Sequence, residues 1–149
     1  MVDYVNPKDL SPHPELTPPH DPVLAYLLAR ALEGHIEVYF AAIPLGMIEP
    51  FSTAFDPRKQ PLGRRLVDAV VAEWRQGQMH HMWVYPRDGK FIMSDDYMTY
   101  YACIEGNPEM VPCWVLGKPD YAGVEQVQGP IDRNEITKIM FGEPSPHSG

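Results

Sequence analysis

The stretch that decides the fold is FDPRKQPLGRRLVDAVVAEWRQGQMHHMWVYPRDGKFIMSDDYMTYYACIEGNPEMVPCWVL, residues 55–116. Its apolar residues recur first at helical spacing, then in short β-branched and aromatic runs, and then again at helical spacing. The pattern predicts a helix, two strands joined by a turn at Asp88-Gly89-Lys90, a second helix and a closing strand: 66–74, 82–85, 91–93, 94–105 and 110–116. This order is typical of an α+β fold with a small mixed sheet flanked by helices.

Composition and charge restrict the partners that the chain can have. The 149 residues include 12 Lys and Arg against 20 Asp and Glu, which gives a formal net charge of −8. Nucleic-acid phosphates are bound by clustered basic side chains, and the one candidate cluster is Arg58-Lys59 with Arg64-Arg65. No apolar run approaches the ~20 residues that span a bilayer, and no secretory signal is present. We therefore expect a cytoplasmic protein that binds neither nucleic acid nor membranes.

Outside the decisive stretch, the sequence indicates one domain between two irregular ends. Residues 1–22 contain six prolines and predict an extended arm, residues 23–141 form the domain, and residues 142–149 are expected to be a flexible tail. Asp21 is positioned to cap a helix over Val23–Leu32. Further elements are predicted from local pattern alone: a strand over 36–40, a loop over 49–53 and a short helix over 133–141.

The order of these elements resembles the N-terminal domain of the ParB/sulfiredoxin superfamily. The resemblance covers about 75 residues, from Ile43 to Leu116, and it rests on four features in compatible order. These are an Asp-Pro-Arg loop at 56–58, a helix that ends at Gly77, the Asp-Gly turn, and the closing Val-Pro-x-Trp-Val strand. The resemblance implies that a ligand cleft lies where the second strand of the pair meets the following helix, and that the loop around Glu49 lies beside it.

The sequence departs from this family at the phosphate-binding motif. The family places Gly-Glu-Arg-Arg and a later arginine at this junction, where a helix N-terminus and guanidinium groups hold an anion. Counted back from Gly106, these positions fall on residues of other types: Asp95, Asp96, Tyr97, Met98 and Tyr100. The cysteine that sulfiredoxins have at this junction is also absent. Phosphate-based activities of the family are therefore not expected here.

The carboxylates at this junction have two interpretations. Ser94, Asp95 and Asp96 precede a helix, and Ser or Asp at that position caps free backbone N–H groups for about 1 kcal/mol. Alternatively, Asp95 and Asp96 act with Glu49 as catalytic general bases or as ligands of a divalent metal ion. The capping interpretation is the simpler one, and no metal site or cofactor is predicted.

Candidate ligand-binding residues surround the same junction. Ser94, Ser52 and Thr53 are small polar residues at its edge, and Tyr100 replaces an arginine of the family. Because Tyr100 lies on a different helical face from Tyr97 and Tyr101, we expect it to border the cleft while those two pack inward. An aromatic and acidic cleft would suit a neutral or cationic small molecule, or a peptide, better than a nucleotide.

Other reactive residue types carry less weight. His80 and His81 are adjacent in a predicted strand, so they face opposite sides, and we expect one to be buried and the other solvated. Cys103 and Cys113 lack C-x-x-C spacing and are expected to be buried free thiols. Two functions remain open: a divergent domain that binds a protein partner or a small ligand, or an enzyme that uses Glu49, Asp95 and Asp96 in the same cleft.

Overall fold

The structure, a computed structural model, describes residues 16–142. Most of the predicted arm and tail therefore lies outside the described residues. Residues 16–142 form four helices and six strands: α1 Pro22–Leu32, β1 Val38–Pro44, β2 Ile48–Pro50, α2 Pro61–Arg75, β3 Met82–Arg87, β4 Lys90–Met93, α3 Tyr97–Gly106, β5 Met110–Leu116, β6 Glu125–Gln128 and α4 Arg133–Phe141. No helix among them is long and apolar enough to cross a membrane.

The six strands form one mixed sheet in the order β2-β4-β3-β5-β1-β6. β2 pairs with β4 and β3 with β5 in parallel, whereas the other neighbouring strands are antiparallel. Helices cover both faces, so that the predicted fold class, α+β with a small mixed sheet flanked by helices, is confirmed.

Alternation along the strands divides the apolar residues between two cores. On β4, Phe91 and Met93 pack toward α2 and α3, while Ile92 packs toward α1 and α4. β5 follows the same rule, with Val115 on the first side and Leu116 on the second. Successive strand residues point to opposite faces, so the register of each strand decides which helix pair its side chains contact.

The β3–β4 hairpin has a two-residue turn that fixes this register. Arg87 pairs with Lys90, and the two residues between them, Asp88 and Gly89, have φ angles of 52° and 80°. Positive φ at both central positions matches the twist of the flanking strands, and Asp-Gly tolerates this conformation. The turn predicted from the sequence is confirmed.

The bounds of three strands differ from those predicted from the sequence. The first strand begins at Val38 rather than residue 36 and continues to Pro44. The sequence leaves open whether residues 43–48 extend this strand or form a second one, and it predicts a loop over 49–53. Residues 48–50 form the edge strand β2, whose register places Glu49 beside Ile92. β6 was not predicted because its four residues are all exposed and show no apolar alternation. Pairing with β1 gives this segment its strand conformation.

Helix α2 passes unusually close to the Asp-Pro-Arg loop at Gly63. A Cβ atom at this position would lie 1.9 Å from the carbonyl oxygen of Pro57, and Gly63 is buried. Only the absence of a side chain allows the backbones to approach so closely. The first turn of α2 is thereby packed against the loop residues 57–59.

We predict that Gly63→Ala lowers the free energy of unfolding by about 2–3 kcal/mol, because the methyl group forces the helix away from the loop. Gly46→Ala is the matched control, since a Cβ there meets nothing within 4 Å. Urea denaturation of both variants measures the difference. Equal stabilities would show that the helix can move away from the loop without cost.

Candidate functional site

The start of α3 is capped by its own chain. Asp96 accepts a hydrogen bond from the backbone N–H of Thr99 through Oδ1 at 3.0 Å and from the Thr99 hydroxyl through Oδ2 at 2.7 Å. Both carboxylate oxygens are therefore used within the first turn of the helix. The predicted cap is present, and α3 begins at Tyr97, one residue after the predicted range.

Asp95, which precedes the cap, has an unusual ionisation equilibrium. Crowding by protein atoms and then the charge of Asp96 raise the pKa of Asp95 to about 7, although backbone amides, including that of Trp83, offset part of the effect. The residue as a whole is nevertheless exposed, which argues for weaker desolvation of its carboxyl than the crowding around it suggests. The nearby charge of Asp96 acts in either case, and the upward direction of the shift therefore stands. The carboxyl is accessible to solvent and proton exchange.

Ser94, the first of the three polar residues at the junction, faces the other side of the sheet. Only 6% of its surface is exposed, and its Oγ has no hydrogen-bond partner among residues 16–142. It lines an open groove of about 330 Å³, whose other walls are the segment 17–21 and residues Leu24, Ala25 and Leu28 of α1. A buried hydroxyl without a partner costs stability. Because this oxygen is itself enclosed by protein atoms, a ligand in the groove would reach it only after the Ser94 side chain or a groove wall moves.

Asp21 forms the wall of this groove and fixes its shape. Its Oδ1 accepts from the backbone N–H of Val23 at 2.9 Å, which caps α1, and its Oδ2 accepts from the Tyr85 hydroxyl at 2.7 Å. Burial, reinforced by the Asp21 carboxylate, raises the pKa of Tyr85. The sequence identified Asp21 as a cap but not as a groove residue, because its partner Tyr85 is 64 positions away.

The loop after β2 lies against the start of α3, as the strand order requires. The backbone N–H of Ser52 donates to the Tyr97 hydroxyl at 3.1 Å, and the Ser52 Oγ accepts from Ala54 at 3.3 Å. Thr53 is exposed. Ser52 therefore positions the loop, whereas Thr53 is the residue of the pair that is open to a ligand.

Tyr100 does not border an open cleft in the way expected. Tyr100 and Tyr101 are each 8% exposed and Tyr97 is 3% exposed, and all three belong to the core shared with α2. The prediction that Tyr100 differs from Tyr101 is wrong because α3 is covered on most of its circumference. Burial raises the pKa of Tyr100, and Glu49 adds to this effect, which places Glu49 within electrostatic reach of the ring.

The basic residues near this region are neutralised by carboxylates. Arg58 forms two hydrogen bonds to Asp56, at 3.0 and 2.9 Å, and a third to Glu105 at 3.1 Å. Arg64 contacts both Glu105 and Asp68. The hydrogen bonds from Arg64 and Arg58 lower the pKa of Glu105. All five charged side chains in this network are paired, so the network stabilises the α2–α3 contact rather than presenting free cations to an anion.

Both cysteines are buried thiols of low reactivity. Burial raises the pKa of Cys103 to about 11, and it also raises the pKa of Cys113. Because the thiolate is the nucleophile, neither side chain is suited to sulfur chemistry at neutral pH. The predicted burial of the two free cysteines is confirmed.

The histidines and acidic residues do not converge on a metal site. His80 contacts Glu73 at 2.8 Å, while His81 packs against the rings of Phe40 and Trp114. The two histidines face opposite sides as predicted, but both are exposed, so the expectation that one is buried was wrong. Within residues 16–142, no group of three or more His, Cys, Asp and Glu side chains could hold a metal ion. Glu49 therefore does not join Asp95 and Asp96 in such a group.

The chain has little similarity in sequence to known proteins. No family model matches the chain, and no curated protein matches it. Among solved structures, the chain is similar to the crystal structure of sulfiredoxin from Arabidopsis thaliana, with 18% sequence identity and a TM-score of 0.44. The match covers 53% of this chain and 85% of that chain. At this level of similarity, the comparison supports no conclusion about activity.

We predict that Asp95→Asn becomes increasingly more stable than the unmodified chain as pH rises from about 4 to 7. A folded-state pKa near 7, above the ~3.9 of an unfolded Asp, means that folding favours the protonated form, and stability is lost as pH rises through this window. Melting temperatures across the window measure the difference, with Asp88→Asn as an exposed control. A pH-independent difference would show that the Asp95 carboxyl is not perturbed.

Proposed function

We propose that this protein is a binding domain, a divergent member of the ParB/sulfiredoxin type that has lost the nucleotide-phosphate motif. Its ligand would be a small neutral molecule or a segment of a partner protein. The proposed binding site is the groove between Ser94, the segment 17–21 and the first turns of α1. We also propose that the protein is cytoplasmic and that it does not bind nucleic acid. The absence of nucleic-acid binding is supported by Arg58 and Arg64, whose charges are neutralised by carboxylates.

One observation carries this proposal: the junction offers carboxylates and a hydroxyl where a phosphate site needs cations. Asp96 already satisfies the first turn of α3, and Asp95 adds a second acidic group beside it. The residues that line the groove include no Lys or Arg. An anion would therefore meet negative charge without the guanidinium contacts that compensate for its desolvation.

The lining of the groove defines the chemistry of the ligand. Its apolar walls come from prolines 18 and 19 and from three residues of α1, whereas Ser94 provides a hydroxyl without a partner. Both oxygens of Asp21 are already used. A ligand with an apolar body and one uncharged hydrogen-bonding group complements this surface, as a peptide backbone flanked by an aliphatic side chain would.

We predict that CTP, ATP and ADP do not bind, with or without Mg²⁺. The reason is the absence of arginine from Asp95 to Gly106, together with the occupied helix terminus. Isothermal titration calorimetry is the measurement, and inorganic phosphate provides a smaller anion for comparison. Micromolar affinity for any of the three nucleotides would contradict the loss of the phosphate site.

We predict opposite effects from removing the two buried hydroxyls at the junction. Ser94→Ala should raise stability, because it removes a buried hydroxyl that has no hydrogen-bond partner among the described residues. Thr99→Val should cost about 1 kcal/mol, because the Thr99 hydroxyl donates to Asp96. Urea denaturation compares the two variants under the same conditions.

The same pair of variants tests ligand binding. N-acetyl-leucinamide is a neutral probe, and N-acetyl-leucine is its charged counterpart. A ligand that binds the folded state raises the melting temperature by mass action, so we expect a rise with the amide that Ser94→Ala removes and Thr99→Val retains. A larger rise with the carboxylate would argue against a neutral-ligand site.

A second candidate function, acid–base catalysis, is favoured by the ionisation of Asp95. A carboxyl whose pKa is near 7 is matched to general-base chemistry at neutral pH, and Asp95 is accessible. The sequence also suggests Glu49 and Asp96 as catalytic partners of Asp95, but the Asp96 carboxylate already caps helix α3. Conversion of a bound probe, followed by NMR and abolished in Asp95→Asn without loss of binding, would favour an enzyme over a binding domain.

A further inference from the structure

Helix α1 is apolar around its whole circumference but is covered on only one side. Its sequence, PVLAYLLARAL, contains a single charged residue, Arg30. Leu24 and Ala31 are its buried residues, whereas Ala25 and Ala29 are exposed and Tyr26 is 61% exposed. A helix with apolar residues on all sides is normally buried on all sides.

A second groove, which shares Ala25 and Leu28 with the one at Ser94, lies between this helix and α4. It has a volume of about 390 Å³, and Ala25, Ala29, Trp83, Met140 and Phe141 are among the residues that line it. Phe141 stands at its edge with 71% of its surface exposed. One continuous surface therefore carries both a recess and a projecting ring.

We propose that this surface, the α1 face, binds a second copy of the chain through a two-fold axis. A two-fold interface joins a patch to itself, so it requires recesses and projections on the same patch. The α1 face has this property, because Phe141 of one copy can enter the recess of the other. Ala25 and Ala29, one helical turn apart, allow the two α1 helices to approach closely.

The charge distribution favours a second copy at this surface. Copies with a net charge of −8 repel one another over most of their surface. Residues 22–32 carry one basic charge, and residues 132–141 carry two basic and two acidic charges, so this region is close to neutral.

The size of the α1 face sets the expected affinity. An 11-residue helix is about 16 Å long, and with the adjacent groove it offers on the order of 500 Å² per copy, the lower end of specific interfaces. We therefore expect a reversible dimer rather than a permanent one.

Sedimentation velocity of the full chain from about 5 µM to about 500 µM tests this proposal. We expect a monomer–dimer equilibrium that Ala29→Glu and Phe141→Ser each weaken at least tenfold, while Ala122→Glu, a matched change at an exposed alanine elsewhere, leaves it intact. Circular dichroism checks that each variant is folded.

A chain that stays monomeric throughout this range overturns the proposal, as does a dimer that neither variant weakens. A detergent or small apolar probe that raises the melting temperature of a persistent monomer would assign the recess to a small ligand and would also overturn it. Ala25 and Leu28 line both grooves, so Ser94→Ala, which changes neither residue, separates the two proposals: a dimer that persists in Ser94→Ala does not depend on the Ser94 hydroxyl.

Discussion

The hydrogen bonds from Thr99 to Asp96 are the constraint on which the rest of the site depends. A helix N-terminus must satisfy its free N–H groups with a side chain, with water or with a bound anion. Here Asp96 satisfies one of these groups, the N–H of Thr99, with its own carboxylate. Desolvation, and then the charge of Asp96, raise the pKa of Asp95 beside it. The carboxylate of Asp96 therefore both stabilises the helix and places negative charge at its N-terminus.

Features determined by neighbouring residues could be predicted from the sequence. The Asp21 cap and the tight turn at Asp88 and Gly89 depend on contacts or backbone angles within a few residues, and the structure confirms both. Helix α2 follows from apolar spacing, and α4 follows from apolar spacing and the adjacent cap Asp132.

Features determined by distant contacts could not be predicted. β2 and β6 are strands because they pair with β4 and β1, and their own residues carry little β pattern. Tyr100 was expected at a cleft on helical geometry alone, but neighbouring elements cover nearly all of α3. The groove at Ser94 exists because Asp21 accepts a hydrogen bond from Tyr85, which is 64 positions away in the chain. No pattern among neighbouring residues predicts that contact.

The two-residue turn between β3 and β4 has a consequence for the ligand groove. Side chains alternate along a strand, so a one-residue change in pairing would turn each side chain of β4 to the other face. Ser94 would then point toward the α2 and α3 core, and Met93 would take its place beneath α1. The side of the sheet on which the Ser94 hydroxyl lies therefore depends on the length of the turn at the other end of the strand. An insertion in that turn could move the hydroxyl out of the groove without changing any residue that lines the groove.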